Sequence, residues 1–352
     1  MARHTLIVAT GGHSGLGFQT LHQLLQRAPA SLPPPYHLIL FGRASSASST
    51  GVDRLSSLCS ADTASKLEYR SLDLDDLAAT KSAGAFLADE VKAKHWSIST
   101  FFFNAAIWPA KRESVKSHDD EGEREVDKCL AVNHIAHLLF LQPLLPLLLE
   151  RAYIPDDRAP RIVFTNSSLH RRADPSTLES LFDLTKSGPE GWTGRACYSA
   201  SKFIQILGAR KLAEQLEEQL TLKGGDAVAP ELVIVQPGFV PSTGLARSSP
   251  LSTRLFMKAF SYLPLSFIES EMGAGETLLK ALSAPLSSLQ ATHTPDARTA
   301  DQLSQLNEQG SPIRWTPKDA RVQGAMIVRG GGLDLPDPRT ENEALQQTWW
   351  PL

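Results

Sequence analysis

The sequence predicts an α/β fold with one parallel sheet covered by helices on both faces, and two observations carry this. The first is alternation. Short apolar runs of β character recur at Leu6–Ala9, His37–Phe41, Leu67–Leu72, Thr100–Phe103, Arg161–Thr165, Leu232–Gln236 and Ala325–Arg329. Helical stretches lie between them at Leu16–Arg27, Asp75–Lys94, Glu123–Glu150 and Ala200–Leu222. Strands that alternate with helices build parallel sheets by crossover connections. The second is a glycine-rich turn, Thr10 to Gly17, where the first run ends and the first helix begins. Sheets of this kind bind ligands beyond the carboxyl ends of their strands, so the residues that follow each run are the candidates for function.

After the first run, Gly11 allows a tight turn and Gly15 lets the backbone approach a pyrophosphate. Gly17 lets the helix pack closely on the sheet. The free N–H groups at the helix start, around Leu16, and the positive end of its dipole suit phosphate. The second run ends in Gly42-Arg43. An acidic side chain there would bind ribose hydroxyls. Arg43 instead suits a 2′-phosphate, or is simply a surface arginine at a strand end. Asp73 follows the third run and can hydrogen-bond an adenine amino group. Asn104-Ala105-Ala106 follows the fourth, where small residues let the backbone come close. Both stretches also suit ordinary turns and helix caps.

The later runs carry the chemistry. Tyr198 and Lys202 stand at spacing i, i+4, one turn apart on one helical face. A nearby ammonium favours phenolate, so Lys202 is expected to lower the Tyr198 pKa and fit it for proton transfer to or from oxygen. Ser167, just beyond the Arg161–Thr165 run, can hydrogen-bond a substrate oxygen as charge develops. Asn133 sits inside an apolar helical stretch, where its amide needs a partner. It could hold a water that relays protons to Lys202. Leu245–Ile268 is dense in aliphatic and aromatic residues and suits an apolar cover, ordinary packing, or peripheral contact with a membrane. His170, Trp108 and Cys197 could border the pocket, though structural roles are favoured. Ala44–Ser60 reads as a loop running into a short helix, and Ser283–Pro317 as a surface insertion.

Composition narrows the partners. The 352 residues carry a net charge of −3, which gives no reason to expect nucleic acid or an anionic membrane. Three cysteines without regular spacing make neither a disulfide framework nor a metal site, and a reducing, cytoplasmic setting fits them. The apolar run after the N-terminus is too short for a signal-peptide core. The longest apolar stretch, Ile135–Leu149, is interrupted by His137, Gln142, Pro143 and Pro146 and falls short of a membrane span. It reads as a buried helix. Oligomeric state is not legible.

Taken together, Thr10 to Gly17, Asn104-Ala105-Ala106, Asn133, Ser167, Tyr198 and Lys202 resemble the short-chain dehydrogenase/reductase superfamily over nearly the whole chain. The resemblance implies a Rossmann-type doubly wound sheet in a single domain over 1–352, with a cofactor half to about 150 and a catalytic and substrate half beyond it. It implies an Asn133–Ser167–Tyr198–Lys202 tetrad, with Lys202 also on the nicotinamide ribose. Thr10, Gly11, Gly15, Leu16, Gly17, Arg43, Asp73, Asn104 and Ala105 would line the cofactor. Pro237-Gly238 would form the turn beside the nicotinamide, and Thr243 would contact its carboxamide. Ser167 and Tyr198 lie 198 − 167 = 31 residues apart, longer than usual and similar to the retinol-dehydrogenase-like and protochlorophyllide-reductase-like branches. Phe103-Asn104-Ala105-Ala106-Ile107, Asn133-His134-Ile135-Ala136-His137 and Pro237 to Leu245 resemble those branches too. Phe239 stands where protochlorophyllide reductases carry cysteine, which speaks against light-driven ring reduction. The expected activity is NADP-dependent hydride transfer to or from a lipophilic carbonyl or alcohol, with Tyr198 as acid/base. The alternatives are carbon–carbon double-bond reduction and a non-catalytic nucleotide sensor on the same fold.

Overall fold

A computed structural model describes residues 4–62, 64–119, 122–153, 158–185, 192–223, 230–242, 245, 268–285, 326–329, 332–334 and 337–350. Ten strands are described: β1 Thr5–Thr10, β2 Tyr36–Gly42, β3 Lys66–Ser71, β4 Ser97–Phe103, β5 Ser114–Asp119, β6 Gly122–Asp127, β7 Arg161–Thr165, β8 Glu231–Gln236, β9 Met326–Val328 and β10 Gly332–Asp334. Eight of them form one sheet in the order β10-β9-β8-β7-β4-β1-β2-β3. All its pairings are parallel except β9 with β10. The chain moves outward from β1 to β3 in one direction and from β4 to β9 in the other. The order therefore reverses between β1 and β4, and a crevice opens at their carboxyl ends.

Burial on both faces explains the near-continuous apolar strands. Along β4, Phe101 and Phe103 point into one core and Phe102 into the other. Helices α1 (Gly15–Arg27) and α2 (Thr50–Asp62) cover one face. There, Leu21, Leu24 and Leu55 pack on Ile7, Leu38 and Leu40. Helix α3 (Leu77–Lys94) packs on the other face, together with α4, a helical run from Lys128 to Leu148. By length and composition α4 could cross a membrane. It is instead a core helix, with Leu138, Phe140, Leu141 and Leu144 all buried. A π-type turn, Ala131–Ile135, interrupts it at Asn133.

Further points complete or correct the expected elements. Residues 123–127, read as the start of α4, form strand β6, paired antiparallel with β5. The polar residues here lie opposite polar partners, Lys116 facing Glu125 and Ser117 facing Arg124. The helix starts where the Asp127 carboxylate accepts from the N–H groups of Cys129 and Leu130. A short helix, α5 (Leu178–Phe182), lies in the stretch between Ser167 and Tyr198. The helix bearing Tyr198, α6 (Gly194–Lys223), begins earlier than the apolar pattern suggested. Helix α7 (Glu271–Ser283), capped by Ser270, joins the α1 face, where Leu278 and Leu282 are buried. Near the end, α8 (Glu343–Thr348) packs beside α6. Thr340, just before α8, accepts from Arg210 Nε of α6 at 3.1 Å. Apart from Leu245 and Ile268, the apolar segment Leu245–Ile268 lies outside the described residues, as do 286–317 of the expected insertion.

Candidate active site

The glycine-rich turn is built to bring the backbone forward at the switch point. Asn104 Nδ2 donates to the Gly11 carbonyl at 3.1 Å, and Thr165 Oγ1 donates to Asn104 Oδ1 at 3.2 Å. The turn is thereby tied to the ends of β4 and β7. A Cβ on Gly17 would lie 2.3 Å from the Gly11 carbonyl oxygen, so α1 can sit this close only with glycine there. Gly15 differs. Its φ of +51° favours glycine, and a Cβ would meet nothing within 4 Å. That open approach to a helix N-terminus with no acid in its first turn fits a pyrophosphate. Thr10 turns its hydroxyl inward, accepting from Ala105 N at 3.2 Å and sharing a 3.1 Å hydrogen bond with His137 Nε2.

Arg43 stands exposed just beyond β2. Its carbonyl accepts from Tyr69 Oη at 2.8 Å, so β3 pins the backbone from which the guanidinium projects. Asp73 is near enough to feel the Arg43 charge, although burial raises the Asp73 carboxyl overall. Pro237 and Gly238 follow β8, with Gly238 at φ +98°, and Phe239 bridges to Ile268. Thr243 lies outside the described residues.

Asn133, Ser167, Tyr198 and Lys202 come together beneath the ends of β4 and β7. The Tyr198 ring stacks on Trp108, with centroids 4.9 Å apart and an angle of 18°. The Lys202 Nζ lies 5.9 Å from the Tyr198 ring centroid and donates to the Thr165 carbonyl at 2.7 Å. Ser167 caps a 3-10 turn, accepting from Leu169 N. His170 Nδ1 meets the Ser167 carbonyl at 2.8 Å, while Asp337 N donates to His170 Nε2. A backbone donor at Nε2 leaves the proton on Nδ1, so that ring nitrogen donates to Ser167.

The electrostatics differ from the sequence expectation. Burial pushes the Tyr198 phenol up, with Cys129 adding to it and a hydrogen bond from Ser167 opposing it. Burial also lowers Lys202 to about 7. The expected lowering of Tyr198 by the ammonium is outweighed, because both groups are desolvated together. The phenol is held in its proton-bearing form.

Asn133 has the partners that its buried amide requires. Its Nδ2 donates to the Ile107 carbonyl at 3.0 Å and to Ser201 Oγ at 2.9 Å, and its Oδ1 accepts from Ile107 N at 2.8 Å. The amide thus clasps the loop after β4. Its backbone carbonyl accepts from Gln205 Nε2 at 3.0 Å. Sequence reasoning missed Gln205, Asn166 and Tyr69, because an amide or phenol in an apolar element shows no partner until the elements cross.

Cys129 and Cys197, which sequence spacing left unconnected, meet Asp127 with their ligand atoms within 4.8 Å of one another. Cys197 Sγ donates to Asp127 Oδ1, and Asn133 Nδ2 donates to Cys129 Sγ. The hydrogen bond with Cys129, and then burial, pushes the Cys197 thiol up. With the Cys197 thiol held in its protonated form and all three side chains hydrogen-bonded within the protein, the group ties the start of α4 to α6 beneath the tetrad.

No family model matches the chain. A short-chain dehydrogenase/reductase of Pestalotiopsis microspora is 30% identical over 243 residues, covering 68% of this chain and 72% of that protein. One of Colletotrichum higginsianum is 26% identical over 281 residues, 78% of this chain and 62% of that protein. Among solved structures, the NADPH-bound carbonyl reductase from chicken fatty liver has a TM-score of 0.51 at 18% identity. That match covers 80% of this chain and 88% of the other, and it speaks to the fold alone.

Proposed function

This chain belongs to the short-chain dehydrogenase/reductase family and is an oxidoreductase, and we propose that it reduces a lipophilic carbonyl with NADPH, Tyr198 giving the proton. The observation that carries this is the state of Tyr198. A buried phenol kept protonated beside a serine hydroxyl, on a helix pointed at the switch-point crevice, is a general acid in waiting. Bound in that crevice, a nicotinamide cofactor would supply the hydride. The turn from Gly11 to Gly17, with Leu16 at the helix start, would hold its pyrophosphate. Arg43 would grip a 2′-phosphate, and Asp73, Ala105, Pro237 and Gly238 would border the rest.

The residues of the chain do the remainder. Ser167 positions the substrate oxygen beside the Tyr198 hydroxyl, and its placement is fixed by Asn166 and His170. Trp108, stacked on the Tyr198 ring, stops it tilting and adds an apolar wall. With Phe239 beside the Gly238 turn, that wall favours a lipophilic substrate over a small polar one.

The test offers purified protein NADPH or NADH with a panel of lipophilic ketones, aldehydes and enones. Ketone or aldehyde reduction with NADPH is expected. Tyr198→Phe should keep cofactor binding while turnover falls by about 10²–10⁴-fold. Arg43→Asp should weaken NADPH by on the order of 2–4 kcal/mol and leave NADH little changed. Turnover retained in Tyr198→Phe, or wild-type protein binding NADH as tightly as NADPH, would overturn the corresponding part.

A further inference from the structure

Gln205 lies three residues after Lys202 on α6 and is 1% exposed. Three hydrogen bonds orient its amide. Nε2 donates to the Asn133 carbonyl at 3.0 Å, and Oε1 accepts from Asn166 Nδ2 at 2.9 Å and from the Lys202 ammonium at 3.3 Å. These partners allow one orientation. Exchanging oxygen and nitrogen would set Oε1 against a carbonyl and Nε2 against two donors. Asn166 extends the network, donating to the Lys202 carbonyl at 2.8 Å and accepting from Ser167 N at 2.8 Å. One buried amide therefore joins Asn133 to Lys202 directly and to Ser167 through Asn166.

We propose that Gln205 is a positioning residue that holds the Lys202 ammonium in place by bridging it to the Asn133 carbonyl. The proposal rests on the reading of Lys202 as the lysine that meets the cofactor. A neutral amide takes up no proton near neutral pH, so this bridge carries geometry and charge stabilisation rather than protons. Thr165 and Gln205 take two of the three ammonium donors, which leaves the third for the crevice.

The neighbours define the electrostatic sign. Tyr198 faces Lys202 from its own helix, and Cys129, His134 and His137 face it from α4. Burial holds His134 at about 4 and His137 at about 3, so both are neutral across the range where Lys202 titrates. A carboxylate at position 205 would favour the ammonium and move that titration to higher pH. A thioether there would remove an acceptor and move it lower.

The experiment measures NADPH affinity by fluorescence from pH 5.5 to 9.5 in wild type, Lys202→Met, Gln205→Glu and Gln205→Met, with unfolding curves for each. Lys202→Met should abolish the part of the pH dependence that wild type shows beyond the titration of NADPH itself. Gln205→Glu should move that midpoint up by about one unit and Gln205→Met should move it down. If both Gln205 variants weaken binding equally at every pH with the midpoint unmoved, Gln205 only fills space and the proposal is wrong. If Lys202→Met keeps the midpoint, the underlying reading of Lys202 fails instead. Should Gln205→Met not fold, Gln205→Glu decides alone, by the presence or absence of the upward shift.

Discussion

Asn133 is the residue where the site's stability and its proposed chemistry separate most cleanly. In Asn133→Ala, the Ile107 N–H and carbonyl each lose a partner, at 2.8 and 3.0 Å, while Ser201 Oγ keeps its bond to the Tyr198 carbonyl. The Ile107 N–H is left unpaired, while its carbonyl keeps only the long contact from Cys129 Sγ at 3.8 Å, so the loss should be about 1–3 kcal/mol. Asn133→Asp behaves differently. One carboxylate oxygen can still accept from Ile107 N, but the other faces the Ile107 carbonyl in a site that is 0% exposed. Such a carboxyl is stable only when protonated, so its folded pKa rises above its unfolded value of about 4. The folded state then binds more protons than the unfolded chain between those values, and stability falls as pH rises through that interval. Urea unfolding at pH 5.5 and 8 reads both effects. Asn133→Asp should lie close to wild type at the lower pH and well below it at the higher. A loss under about 1 kcal/mol for Asn133→Ala, or the same deficit at both pH values for Asn133→Asp, would refute the clasp.

Three more perturbations test other parts of the structure. Gly17→Ala puts a methyl 2.3 Å from the Gly11 carbonyl and 2.6 Å from Asn104 Nδ2. It should displace the turn and weaken NADPH more than tenfold in a fluorescence titration, with helix content kept, and unchanged affinity would count against the turn as the phosphate site. Arg161, 3% exposed, ties β7 to Glu231 and to the carbonyls of Ala281 and Ala284 at the end of α7. Arg161→Met should cost about 3–5 kcal/mol in urea unfolding, and a loss below about 1 kcal/mol would show that the clamp is not needed. His137 is buried with a folded pKa lowered to about 3 by desolvation, so the unfolded chain takes up its proton first and stability drops as pH falls from about 6.5 toward 3. His137→Gln should flatten that drop, and an unaltered acid limb would argue against it.

The sheet was legible because burial on both faces imposes a pattern that short windows can see. Every one of the seven expected runs overlaps a strand paired in parallel, and the reversal between β1 and β4 follows from their order. The β5–β6 hairpin was not legible, since alternating charges over a few residues suit a polar helix face and a two-stranded ribbon equally. At the site, the turn residues and the Tyr198–Lys202 spacing could be read because they depend on one element at a time. The amide network could not. Gln205 and Asn133 are 72 residues apart, and nothing in either element marks the other as its partner. The same holds for His170, whose link to the backbone of Asp337 crosses 167 residues.

Lys202 is the residue that stability alone does not explain. Elsewhere the fold gives its buried cations anions. Arg161 pairs with Glu231, and Arg210 feels Glu341. Lys202, 1% exposed, is held by the carbonyl oxygens of Thr165 and Gln205, and among the described residues no carboxylate reaches it. Neutral dipoles stabilise an ammonium without cancelling its field, whereas an ion pair would cancel it. In a dry site the remaining field acts on any oxygen that gains negative charge, whether a phenolate at Tyr198 or a substrate oxygen beside it. The lowered pKa follows directly from this arrangement, since a cation desolvated without a counter-ion releases its proton more easily. A buried lysine so placed weakens the fold, and under the proposed function its field would stabilise a transition state, the combination expected at a catalytic position. With the charge left uncompensated, the position of Nζ depends on the Thr165 carbonyl and the Gln205 amide oxygen, and Asn166 and the Asn133 carbonyl hold that amide in turn.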